Sequence, residues 1–241
     1  MSGEAFCNRQ KELADLRRAM ENAEKLFVFS ERRYGKTSLV RAALGKLPRK
    51  NFISAYVDLW PTDSEGTFVA AMARAITESM SSSVEKALET AKKLFGSLSP
   101  SVTVNEEGKP TLAFGLAKHA RIDPVLEEVL ETPAKIAAKG GLRVAVVLDE
   151  FQQVLEYGSD RVERKLRSVI QAHRQVSYVF LGSRKHLIQK MVLDRNRPLY
   201  RAGGHYPLGP IAEKHWQTSF VCGSQTRRSE LMSKKSTISA K

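Results

Sequence analysis

The sequence predicts an α/β fold, helices packed around a parallel sheet, and two stretches carry that prediction. In the first, the apolar run Leu26 to Phe29 breaks into a polar loop, and Gly35-Lys36-Thr37-Ser38 then opens the helical pattern Leu39 to Leu44. That is strand, loop and helix in the order a phosphate-binding P-loop requires. In the second, the continuous apolar run Val144 to Leu148 reads as a central parallel strand buried on both faces, and it ends in Asp149 and Glu150. Each stretch is a moderate signal alone; together they are a strong one, because a P-loop protein needs an acid at the end of a neighbouring strand.

The other elements follow in order. Asn8 is placed to cap a helix through Arg9 to Met20, with Leu13, Leu16 and Met20 on one face. After the P-loop helix, Phe52 to Leu59 reads as a buried strand carrying Asp58, and a helix follows over about 66–79 with Phe68, Met72 and Ile76 recurring four apart. Residues 81–120 break the alternation. A short helical piece (Val84 to Phe95) precedes two brief apolar runs, 102–104 and 112–114, separated by an Asn/Gly-bearing turn, which reads as an inserted hairpin. A helix from Asp123-Pro124 to Lys139 is bounded by Pro in its first turn and Gly140-Gly141 at its end. Beyond Glu150, a helix starts at Ser159 or Asp160, 177–182 is another buried strand, Lys185 to Leu193 a helix, and His205 to Leu208 a last strand.

The chemistry rests on a few side chains. Ser30, Glu31, Arg32, Arg33, Tyr34, Gly35, Lys36, Thr37 and Ser38 form the phosphate loop, whose backbone N–H groups and helix N-terminus would face the phosphates. Lys36 would reach the β- and γ-phosphates, and the Thr37 hydroxyl would ligate Mg²⁺ together with Asp149. Glu150 fits the carboxylate that polarises an attacking water. The loop has Ser30 where the pattern G-x-x-x-x-G-K-[ST] has its first glycine. Asp58 is either a metal-water contact or a loop cap. Ser183 either orients water near the γ-phosphate or ends its strand in a turn. His173 reads as packing or a solvated helix end rather than as a base. Arg174, Arg184, Arg195, Arg197 and Arg201 are equal candidates for a γ-phosphate sensor.

Composition sets outer bounds. No apolar run approaches the roughly 18 residues of a membrane span, and the N-terminus has no apolar signal-peptide core. Cys7 and Cys222 form no metal or redox motif, so a reducing cytoplasm is the expected compartment. The net charge of +13 favours polyanions through sequence-independent phosphate contacts. DNA is therefore a candidate partner on charge alone, with no basic stripe interleaved with aromatics to support it. Residues 217–241 lack apolar periodicity, and the basic tail 214–241 is expected to be disordered.

The order of parts resembles the archaeal-type ATPases, a branch of the AAA+/STAND-like P-loop ATPases. The resemblance is carried by Phe6 to Leu13, Glu31 to Leu39, Val147 to Phe151, Phe180 to Arg184 and Pro198-Leu199-Tyr200, and it covers about residues 5–213. It implies a three-layer sandwich with a five-stranded parallel sheet in the order 5-1-4-3-2 and ATP rather than GTP as the nucleotide. It also implies an adenine pocket lined partly by Phe6 to Leu13, Asp149 and Glu150 as the acidic pair, and Ser183 at the sensor position. Such proteins continue into a helical lid and often a winged-helix domain, so the chain is expected to be truncated relative to them. The resulting expectation is an ATPase domain over 1–213 with 81–120 as an accessory insertion. The second expectation is a nucleotide-dependent switch that engages DNA or a protein with little or no hydrolysis, alone or as a homo-oligomer.

Overall fold

The computed structural model describes residues 9–210. The Asn8 cap, the Phe6 end of the expected adenine segment and the basic tail lie outside the described residues. α1 (Gln10–Glu21) has Arg9 at its N-cap position. The chain then runs β1 (Lys25–Phe29), α2 (Lys36–Gly45), β2 (Phe52–Asp58), α3 (Glu65–Ser79), α4 (Val84–Leu94), β3 (Leu98–Val104), β4 (Pro110–Leu116), α5 (Ile122–Gly140) and β5 (Arg143–Asp149). A 3-10 helix (Phe151–Glu156), α6 (Arg161–Ala172), β6 (Val176–Gly182), α7 (Lys185–Leu193) and β7 (Gly204–Pro207) complete it.

β1, β2, β5, β6 and β7 form one parallel sheet in the order β2-β5-β6-β1-β7. Counting only these five strands, that is the order 5-1-4-3-2 read from the other edge. The apolar strand runs are continuous because both faces are covered. Phe27 and Phe29, Val144, Val146 and Leu148, and Tyr178 and Phe180 point into a core shared with α3, α5, α6 and α7. Their alternates Leu26 and Val28, Ala145 and Val147, and Val179 and Leu181 point into a second core with α1 and α2. The period of two along each strand thus distributes one apolar run between two helical layers.

Helix boundaries follow local chemistry. The Ser64 side chain accepts from the Thr67 N–H and Thr67 reciprocates, a capping box that starts α3. Ser83 caps α4 through the Lys86 N–H, and α5 ends where Gly141 adopts a left-handed conformation. β3 and β4 pair as an antiparallel hairpin longer than the two brief apolar runs, extending through Pro100. The inner side of this insertion belongs to the main core. Phe95 and Leu98 are buried there, and Phe95 meets Phe114 edge-on at 5.9 Å.

Candidate functional site

The parallel register brings four strand ends level. Asp58 is opposite Asp149, Leu148 is opposite Phe180, and Phe29 is opposite Gly182. Ser30, Asp149, Glu150 and Ser183 therefore converge at the carboxyl edge of the sheet, where ligands bind in open α/β folds.

The loop after β1 turns through two left-handed residues, Arg33 (φ 66°) and Gly35 (φ 73°), and Gly35 sets the N-terminus of α2. Ser30 is buried, and its hydroxyl donates to the Glu31 carbonyl at 2.9 Å. Lys36 Nζ donates to Ser30 Oγ at 3.1 Å and to the Glu31 carbonyl at 3.1 Å. The serine at the first loop position is thus turned inward as an acceptor for the loop lysine. Burial lowers the Lys36 pKa from its ordinary value, against the opposing pull of the Glu150, Asp149 and Glu31 carboxylates.

The acids are tied to this loop and to each other. Thr37 Oγ1 donates to Asp149 Oδ2 at 2.8 Å, and the Tyr56 hydroxyl donates to the same oxygen. Burial, reinforced by that bond, raises the Tyr56 pKa above the ordinary phenol range, so the phenol stays protonated. The Glu150 N–H donates to Asp149 Oδ1 at 2.8 Å. Glu150 has φ 51° and ψ 43°, a left-handed conformation that a non-glycine residue adopts at a cost of roughly 1–3 kcal/mol. The next residue, Phe151, is fully buried and packs on Phe180 at 4.7 Å. Ser183 Oγ donates to Glu150 Oε2 at 2.6 Å, and Gln152 Nε2 donates to the same oxygen. Among the described residues, no hydrogen bond reaches Glu150 Oε1.

A cleft of about 310 Å³ opens above these groups, lined by Arg32, Arg33, Gly35, Lys36, Thr37, Ser38, Trp60, Glu150 and Ser183. Glu31 and Arg32 continue into a neighbouring hollow with Ser183 and Arg184. Of the sequence-predicted residues, Ser30 and Asp149 lie beneath the cleft floor, and Tyr34 turns its carbonyl to Arg9 at 3.2 Å instead of lining it. Asp58 accepts from the Trp60 N–H at 3.0 Å and so caps its own loop. His173 is buried against the Tyr178 hydroxyl at 2.9 Å, a packing role. Among the five candidate arginines, Arg184 borders the site, while Arg197 is tied to buried Glu163. Arg201 lies over the Tyr200 ring.

Thr37 and Asp149 offer hard oxygen donors side by side, which suits Mg²⁺. Among the described residues no group of three His, Cys, Asp or Glu could hold a metal by itself. A Mg²⁺ held here would therefore take its remaining ligands from water and nucleotide phosphates, its usual mode of binding.

Sequence reasoning missed Tyr56, Gln152 and Trp60, and took Arg9 only as part of the Phe6 to Leu13 segment. Tyr56 reads as one more residue of an apolar strand. Arg9 is buried and bridges the Tyr34 and Gly209 carbonyls, tying the phosphate loop to the end of β7, and nothing in its local sequence signals that.

A family described as an ATPase domain predominantly from Archaea matches residues 6–216. The chain belongs to this family. No curated relative matches it. Solved structures share the archaeal ATPase fold at low identity. The Walker-type ATPase of Pyrococcus abyssi has a TM-score of 0.63 at 18% identity, covering 94% of this chain and 60% of its own. The ORC1 protein of Aeropyrum pernix in complex with DNA gives 0.59 at 14% identity, covering 90% of this chain and 49% of its own. The ORC2 protein of the same organism, in ADPNP and ADP complexes, gives 0.52 at 13% identity, covering 84% and 48%. The chain thus spans about half to three-fifths of the length of these proteins. No helix among the described residues is long and apolar enough to cross a membrane.

Proposed function

We propose that the chain binds ATP with Mg²⁺ and hydrolyses it at the cleft between the P-loop and the β5 and β6 strand ends. The observation that carries this reading is the state of Glu150. One of its oxygens is held by Ser183 and Gln152, and the other is free of hydrogen bonds among the described residues. A carboxylate fixed on one oxygen is suited to accept a proton from a water aligned on the γ-phosphate. As the water oxygen bonds to the γ-phosphorus, the bond to the β,γ-bridging oxygen breaks, giving ADP and phosphate.

Binding falls to the loop from Ser30 to Ser38. Its backbone N–H groups and the N-terminus of α2 cradle the phosphates, and Lys36 exchanges its contacts with Ser30 and Glu31 for β- and γ-phosphate oxygens. Thr37 and Asp149 would hold the metal, and Mg²⁺ bound there would neutralise charge on the phosphate oxygens. Arg32, Arg33 and Arg184 add positive charge along the rim. The unit responsible is the domain over 1–213, with 81–120 as its accessory segment. The test is ATP binding with and without Mg²⁺ on the wild type and Lys36→Ala. Loss of binding in the variant supports the reading, and unchanged binding sinks it.

A second reading makes the same site a nucleotide-dependent switch that engages DNA. It is favoured by the net charge of +13 and by the likeness to an ORC1 protein solved with DNA. Duplex affinity that falls steeply with salt, and differs between ADP and ATP states, supports it. No duplex binding at low salt removes it.

A further inference from the structure

Asp149 is held by more than the residues of its motif. Its Oδ2 accepts from Thr37 and Tyr56, and its Oδ1 accepts from the Glu150 N–H. The three donors are not equivalent. Thr37 is exposed in the cleft, and as a metal ligand it would share its oxygen between the ion and the bond to Asp149. The Glu150 N–H is backbone and stays. Tyr56 arrives from β2, the neighbouring strand, two residues before Asp58, which is in register with Asp149. Its phenol is directed by the strand pairing and not by the phosphate loop.

The ring of Tyr56 is itself fixed. The Arg41 guanidinium lies 4.3 Å from its centroid, within the range of a cation–π contact. Arg41 is on α2, four residues after Thr37, so it stands one helical turn along on the same face. The helix that carries the P-loop hydroxyl therefore also clamps the side chain that holds the acid. A tyrosine used only to fill space at the edge of the sheet would need no partner for its hydroxyl beyond water. This one directs its hydroxyl inward, across the strand, to a buried carboxylate.

We propose that Tyr56 is a positioning residue for the metal site: its hydroxyl, with the ring clamped by Arg41, keeps the Asp149 carboxylate oriented toward the place it shares with Thr37. The proposal rests on the reading of Asp149 as the metal-holding acid. Without the Tyr56 hydroxyl, Oδ2 would keep only Thr37, itself a metal ligand, as a donor, and the remaining anchor of the carboxylate would be the Glu150 N–H on Oδ1. Partners of this kind, which do not touch the metal but orient what does, typically change metal affinity or activity by about 10–100-fold when removed.

The test is Tyr56→Phe, which deletes one oxygen and keeps the ring and its stacking on Arg41. ADP binding is titrated with Mg²⁺ on the wild type, Tyr56→Phe and Asp149→Asn. ADP affinity in EDTA and the melting temperature are measured alongside. The expected result for Tyr56→Phe is a half-saturating Mg²⁺ concentration raised about tenfold or more, with ADP affinity in EDTA unchanged. An unchanged Mg²⁺ requirement in Tyr56→Phe, while Asp149→Asn shifts it, overturns the proposal and leaves the metal site standing. The same holds if Tyr56→Phe melts lower at an unchanged Mg²⁺ requirement, which assigns the residue to packing. An unaltered Mg²⁺ requirement in Asp149→Asn overturns the metal-site reading and the proposal with it.

Discussion

Replacing Ser183 with alanine removes a single oxygen, and the structure says what that oxygen does. It donates to Glu150 Oε2 at 2.6 Å from a nearly buried position at the end of β6. A hydrogen bond to an ionised group contributes about 1.5–3 kcal/mol, and about 1.4 kcal/mol corresponds to tenfold in rate. If the whole of it were felt in the transition state, turnover would fall by about 10–150-fold. Gln152 still donates to the same oxygen, which holds the carboxylate partly in place and sets the expectation at the lower end, about tenfold in kcat. Affinity for a non-hydrolysable ATP analogue should change by less than about threefold, because the bond serves Glu150 and not the phosphate cradle. The assay is steady-state phosphate release beside analogue binding, on wild type and variant. Full kcat in Ser183→Ala would show that the serine merely ends its strand. Collapse of analogue binding would show that it contacts the nucleotide directly.

Two further expectations concern the scaffold under the site. A Cβ at Gly182 would meet Ile188 Cγ1 at 2.2 Å and Gln152 Oε1 at 2.9 Å, so Gly182→Ala should cost about 1–3 kcal/mol of stability and lower turnover by displacing Gln152. Chemical denaturation and phosphate release check both effects, and an unaffected midpoint would contradict the tight packing. Burial pushes the carboxyl of Glu163 up to about 7, beyond what the opposing charge of Arg197 reverses. A carboxyl raised in the folded state favours folding below its unfolded pKa of 4.5, and that contribution is lost as pH rises through about 7. The melting temperature of Glu163→Gln should therefore gain on the wild type between about pH 5 and pH 8, and parallel curves would contradict the assignment.

Most of the sheet could be read from the chain because a strand buried on both faces must be apolar throughout. Leu26 to Phe29, Val144 to Leu148 and 177–182 announce themselves in that way, and the structure extends each by one residue at most at either end. The strand order came from the resemblance, since no local pattern says which strand lies beside which. The last strand is offset by one residue, Gly204–Pro207 against the expected His205 to Leu208, because only four residues pair and they barely alternate. Lys36, Thr37, Asp149 and Glu150 were legible because their spacing relative to strand and helix is part of the chemistry. Tyr56 and Gln152 were not, because their roles depend on which carboxylate the neighbouring strand presents to them. The arginines show the same limit: Arg197 and Arg184 look alike in sequence, and only the fold pairs one with buried Glu163 and leaves the other at the cleft.

The most direct test of the whole account is ATP binding and phosphate release measured side by side on the wild type and Glu150→Gln, in Mg²⁺. Glutamine keeps the shape and the contacts to Ser183 and Gln152 but cannot take a proton from water. The account predicts that the wild type binds and turns over, while the variant binds with similar affinity and releases phosphate at least about 100-fold more slowly. A wild type that binds ATP without releasing phosphate, or a variant that turns over as fast as the wild type, would contradict it.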